Sequence, residues 1–319
     1  MCSVGAGRRT RAKGPNPEAL KPNPIILRAW SFFQKAPRRV AVSAWPAKPV
    51  VVVTDCGNWV DDQLAIVYLL ASPTVEVKGI VASQYGAPGT AKLVKEAVTK
   101  LLAVLGSNVP VWQGAEVSLS EKPDQPASDG ALQIAALAKR GRLDVLCFSA
   151  ATDVALALRE GASAKAQVYW VGGGPLPKGG RGDFNLANDM RAAQMLFDLP
   201  VTLYWMPAVG VADALKLTGT DVRERFGDYG TPGKALKEVA ATMGRSPASL
   251  WDLSLAGAYV RPGLAMTETR PAPEITDDFR LIDRKRGKGV VVFTRVRGEP
   301  LLQDFENALK AWAKRERDR

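Results

Sequence analysis

The sequence predicts an α/β domain with a mainly parallel central sheet flanked by helices. Three observations predict it. Short β-branched runs alternate with segments of helical length and composition, the first run is apolar throughout its centre, and carboxylates follow that run at once. That run is PVVVVT, Pro49 to Thr54. A strand without polar alternation is buried on both faces, as in a parallel sheet covered by helices. Ligands of such sheets gather beyond the carboxyl ends of the strands, where the acidic loop after Thr54 falls.

The remaining elements follow in order. DDQLAIVYLLAS, from Asp61, is a helix that stops where Pro73 restricts Ser72. Strand-like VKGIVAS precedes helix-like TAKLVKEAVTKLLAVLG, and DVLCFSA precedes TDVALALREG. This repeated alternation is what a parallel sheet requires. Further strands are expected at Gln167 to Val171, Val201 to Met206 and Gly289 to Val296. The amphipathic tail LLQDFENALKAWAKR is expected to close the domain as a helix.

At 319 residues and 46% hydrophobic composition the chain can bury one sizeable core. One main domain is expected over residues 49–319, behind a basic extension over residues 1–48. The extension carries ten Lys or Arg against Glu18, a net +9 of the chain's +11, which leaves +2 for the body. The high net charge therefore gives no ground for nucleic-acid binding by the body. Rich in Pro, Gly and base, the extension is expected to be a disordered, solvated tail, with an organelle-targeting role left open. No apolar stretch reaches the roughly 18 to 20 residues a membrane span needs. Cys2, Cys56 and Cys147 are an odd set without metal-like spacing, as expected of free thiols in a reducing cytoplasm. The chain has no histidine, which excludes any imidazole acid, base or metal ligand.

VTDCGNWVDDQLA places Asp55 at a strand end, Gly57 in a turn, and Asp61 with Asp62 at a helix start. Adjacent helical residues project about 100° apart, so Asp61 and Asp62 address different groups. Asn58 and the two acids would suffice as helix caps. Capping does not account for Asp55, which has no cation in the segment to pair with unless a metal neutralises the cluster.

The stretch VTDCGNWVDDQLAIVYLLASPTVEVKGIVAS resembles the N-terminal signature of the inosine-uridine preferring nucleoside hydrolase family, often D-T-D-x-G-N-D-x-D-D-A-L-A. VPVWQGA, CFSAATDVALALR, VYWVGGG, GDFNLANDMRAAQMLF and SLWDLSLAGAYV follow in that family's order, so the resemblance spans roughly residues 49 to 270. It implies the nucleoside hydrolase fold, a nucleoside substrate, and a homodimer or homotetramer. It implies Ca²⁺ held by Asp55, Asp62, Asp252 and the backbone carbonyl of Thr152. It further implies that Asp61 holds ribose hydroxyls, and that Asn185, with Asp183 in place of the usual Glu, holds the sugar's other edge. Asp55 would take the proton of the attacking water. Taken singly, Asp252 reads as a first-turn acid, Thr152 as an N-cap, and Asp189 as the cap of MRAAQMLF.

The sequence departs from the family pattern at several places. Trp251 stands where many members carry a histidine, and Trp59 where the signature has an Asp. Neither indole can protonate a leaving base, but both can stack on one, which favours purine nucleosides. Either tryptophan reads equally as core packing. Val53 replaces the signature's first Asp, Ala87 replaces an Asn after Gly86, and PLPKGG lacks the asparagine expected before DFN. A fold that keeps its metal set but thins its sugar contacts leaves a ribosyl-binding protein without turnover as the alternative. A Mg²⁺-dependent phosphotransferase with Asp55 as nucleophile is a second. The Gly-rich run GGGPLPKGGRG is expected to be a flap beside the pocket or an ordinary surface loop.

Overall fold

Four consecutive valines show how the sheet is buried. Val50 and Val52 pack into one hydrophobic core and Val51 and Val53 into another, and all four are 0% exposed. Successive side chains of a strand point to opposite faces, so both faces here are covered. Burying each such side chain is worth about 1.5–3 kcal/mol over leaving it in water.

In the computed structural model, residues 47–174 and 183–318 are described. The expectations for the extension and for most of the Gly-rich run lie outside them. Eight strands among the described residues form one sheet. They are β1 (Lys48–Thr54), β2 (Val75–Ala82), β3 (Val111–Gln113), β4 (Leu143–Cys147), β5 (Ala166–Val171), β6 (Thr202–Met206), β7 (Ala265–Pro271) and β8 (Gly289–Val296). Their order is β3-β2-β1-β4-β5-β6-β8-β7. Every neighbouring pair is parallel except β7 with β8.

On the face of Val50 and Val52 lie α1 (Asp61–Ala71), α2 (Thr90–Val104), α7 (Gly219–Phe226), α8 (Gly230–Thr242), α9 (Trp251–Val260) and α10 (Gly298–Arg317). The opposite face carries α3 (Asp129–Arg140), α4 (Thr152–Arg159), α5 (Phe184–Asn188) and α6 (Met190–Asp198). Both α1 and α9 are buried almost all round and pack against each other. Such helices read as apolar on every side rather than along one stripe. Helix α1 ends at Ala71 with Ser72 extended, as Pro73 requires. Gly79 in β2 leaves room for the indole of Trp112 from β3, which any side chain there would strike.

Candidate active site

The turn after β1 delivers the acids. Gly57 takes φ +97°, a conformation that favours glycine, and the Asn58 N–H closes the turn on the Asp55 carbonyl at 3.1 Å. Contrary to the capping expectation, the N-cap of α1 is Val60, which makes no side-chain cap. Asn58 instead donates from Nδ2 to Asp55 Oδ2 at 3.2 Å. Asp61 and Asp62 thus occupy the first turn of α1 unspent as caps, at the helix end that favours anions.

Helix α9 meets the same point from the far end of the chain. It also starts without a side-chain cap, and Asp252 lies in its first turn. The Asp252 N–H donates to Asp61 Oδ2 at 3.0 Å, joining the two helix N-termini, and the Thr54 hydroxyl donates to Asp62. Carboxylate oxygens of Asp61, Asp62 and Asp252 lie within 4.8 Å of one another.

Burial raises the pKa of all four acids. Desolvation and then the charge of Asp61 push Asp55 up to about 7, and desolvation pushes Asp61 to about 6. Asp62 and Asp252 are also raised, first by desolvation and then by the neighbouring carboxylates. No Lys or Arg is among the described residues of the pocket wall to offset them. A cluster of hard oxygen donors without an internal cation suits a hard divalent ion such as Ca²⁺ or Mg²⁺, and lacks the sulfur or nitrogen ligands that softer metals select.

These acids floor a cavity of about 400 Å³, within the roughly 300–1,000 Å³ usual for small-molecule sites. Of the nine site residues expected from sequence, eight line it: Asp55, Trp59, Asp61, Asp62, Asp183, Asn185, Trp251 and Asp252. Thr152 does not. It is the first residue of α4, behind the N-cap Ala151, so it is not the cap it resembles in sequence. Its hydroxyl donates to Asp189 Oδ2 at 2.7 Å. Asp189 itself caps α6, as its place in the sequence implies.

Asp183 and Asn185 build the opposite wall. Asp183 caps α5, accepting from the N–H groups of Asn185, Leu186 and Gly173, and burial pushes it up to about 6. Asn185 Nδ2 donates to the carbonyls of Phe148 at 2.9 Å and Val171 at 3.0 Å, which fixes its amide between β4 and β5. Sequence reasoning did not single out Phe148, Val171, Phe184, Ala208 or Val209, which also line the cavity. The first three sit inside segments quoted for the resemblance. Ala208 and Val209 follow β6, and their place beyond a strand's carboxyl end was the one signal for them.

A family model described as inosine-uridine preferring nucleoside hydrolase matches residues 50–297. Curated proteins compared by sequence give no match. Among solved structures, a plant nucleoside hydrolase superposes with a TM-score of 0.71 at 18% identity, covering 83% of this chain and 100% of its own. The inosine-uridine preferring nucleoside hydrolase from Bacillus anthracis gives 0.67 at 18%, covering 83% and 99%. A purine-preferring ribonucleoside hydrolase from Gardnerella vaginalis gives 0.68 at 19%, covering 84% and 99%. At these identities the structural likeness concerns the fold.

Proposed function

The chain belongs to the inosine-uridine preferring nucleoside hydrolase family, a family of N-glycosyl hydrolases, and from that premise we propose that it hydrolyses the N-glycosidic bond of a ribonucleoside, purine favoured, to free base and ribose. One observation carries this reading: four buried aspartates, from the turn after β1 and from α1 and α9, line one pocket floor with no Lys or Arg among the described residues of its wall.

The residues present fit a divalent ion, which we take to be Ca²⁺. Asp62 and Asp252 are common to the ligand set implied by sequence and to the set whose oxygens converge. Asp55 and the Thr152 carbonyl complete the former. When bound, the ion supplies positive charge that neutralises the floor and draws water and ribose hydroxyls to it.

The chain's own groups do the rest. Asp55, held by Asn58, accepts the proton of the attacking water. Asp61 takes a ribose hydroxyl, and Asp183 and Asn185 border the other edge of the sugar. Carboxylates beneath the ring stabilise the positive charge that develops as the C–N bond breaks. Trp251 and Trp59 stack on the base. A phosphotransferase would need a lysine beside Asp55, and none of the described wall residues is one.

The test is release of free base from a nucleoside panel with Ca²⁺ present. The reading requires activity that is lost on adding EGTA and lost in Asp55→Ala. Tight ribose binding without base release would instead leave a ribosyl-binding protein of this fold.

A further inference from the structure

The floor and the mouth of the pocket are chemical opposites. Asp55, Asp61, Asp62 and Asp252 are at most 4% exposed, whereas Trp59 and Phe184 are 49% and 50% exposed and Trp251 is half-buried. A sugar seated on the acids therefore presents its heterocycle to three aromatic rings.

Breaking the C–N bond of a neutral nucleoside puts an electron pair on the departing ring nitrogen, and a proton donor normally meets it. The chain has no histidine, and no Lys, Arg, Tyr or Cys is among the described residues of the wall. Asp183 is no substitute. Its two oxygens are already engaged by backbone N–H groups, one by Gly173 and the other by Asn185 and Leu186, which ties the carboxyl to the protein rather than to a leaving base. The wall holds five aspartates among its described residues, and one divalent ion cancels two of those formal charges. Formal negative charge is left on the described wall, and the faces of indole and phenyl rings attract cations.

We propose that the preferred substrates are N-ribosides whose heterocycle already carries a positive charge, such as N7-alkylated purine ribosides and N-ribosylpyridinium compounds. The proposal rests on the ribonucleoside hydrolysis argued above and names its substrate class. Such a ring needs no proton to leave. Water's oxygen bonds to C1′ as the C1′–N bond breaks, and the electron pair passes to the ring nitrogen and cancels its charge. One proton of the water goes to Asp55 and then to solvent, and the other stays on the new anomeric hydroxyl. The products are a neutral heterocycle, ribose and a proton.

The experiment compares kcat/KM of the Ca²⁺-loaded full chain for 7-methylguanosine against guanosine, and for N-ribosylpyridinium against uridine. A missing general acid handicaps neutral substrates by roughly 10²–10⁴-fold, so the charged member of each pair is expected to lead by at least about a hundredfold. In the non-cleaving Asp55→Asn protein, N-ribosylpyridinium should bind more tightly than uridine, and Trp59→Ala should shrink that preference by roughly two- to thirty-fold. Equal turnover and equal binding within each pair would overturn the substrate class while leaving nucleoside hydrolysis intact. Base release from neither member of either pair would overturn both.

Discussion

Asp189 and Asp62 lie equally deep in the protein and are surrounded in opposite ways. Asp189, 0% exposed, accepts from the N–H groups of Leu119 (2.7 Å), Ser120 (3.1 Å) and Ala192 (3.1 Å) and from the hydroxyls of Ser120 (3.0 Å) and Thr152 (2.7 Å). Asp62, 1% exposed, accepts from the Thr54 hydroxyl and otherwise faces other carboxyls, which with burial raise its pKa. The first acid is saturated with donors and ties α4 and α6 to the segment before α3. The second is in deficit, and a buried carboxylate short of donors among other acids is what a cation can fill. Burial alone therefore does not separate a structural carboxylate from a functional one; the supply of donors does.

The matched substitutions Asp189→Asn and Asp62→Asn press hardest on this contrast. Each buried donor left without a partner costs roughly 1–3 kcal/mol, so chemical denaturation should show Asp189→Asn less stable by about 3 kcal/mol or more. Asp62→Asn removes a repelled charge and should leave the cation-free protein as stable as the parent, or more so. Equal losses from both would erase the distinction.

Calcium comes next in size. An ion that binds the folded chain stabilises it by about 2.7 kcal/mol at a hundredfold excess over Kd. Melting followed with Ca²⁺ and then with EGTA should show a rise and its reversal in the parent. In Asp62→Asn the two curves should coincide.

The pH dependence has a definite sign. Folding raises Asp55 from 3.8 to about 7 and Asp61 to about 6, so the folded chain holds these protons more tightly than the unfolded chain. The stability they contribute is fully present below about pH 4 and is lost as pH rises through 6 to 7. Without a cation, the parent's Tm should fall over that interval relative to Asp55→Asn/Asp61→Asn. A parent curve parallel to the variant's would refute the shifts.

Trp251→Ala is the mildest change. Losing the stacked ring should lower kcat toward purine nucleosides by about tenfold, equivalent to about 1.4 kcal/mol, with Ca²⁺ affinity unchanged. Undiminished activity would return Trp251 to a packing role.

Much of this was legible in the sequence, for identifiable reasons. Val50 to Val53 announced a strand covered on both faces, and Pro73 marked the end of α1. Asp55, Asp61 and Asp62 were visible because they crowd one short loop. Asp252, nearly two hundred residues away, became visible through the order of segments, since no local signal joins it to Asp61. Other features had little to show. Strand β7 reads AMTETRP and is mostly exposed, since an edge strand paired on one side needs no apolar run. Thr152 looked like a helix cap, yet Ala151 holds that position and the hydroxyl serves Asp189. Phe184 gave no sign of facing the cavity, because α5 is too short to show a helical period.

The central claim is that the four-aspartate floor is a divalent-cation site. Isothermal titration of Ca²⁺ into the parent and into Asp62→Asn tests it most directly. One ion per chain should bind the parent, with release of the protons now held by the cluster, and binding should vanish in the variant. Failure of the parent to take up Ca²⁺, or uptake that Asp62→Asn leaves undiminished, would contradict it.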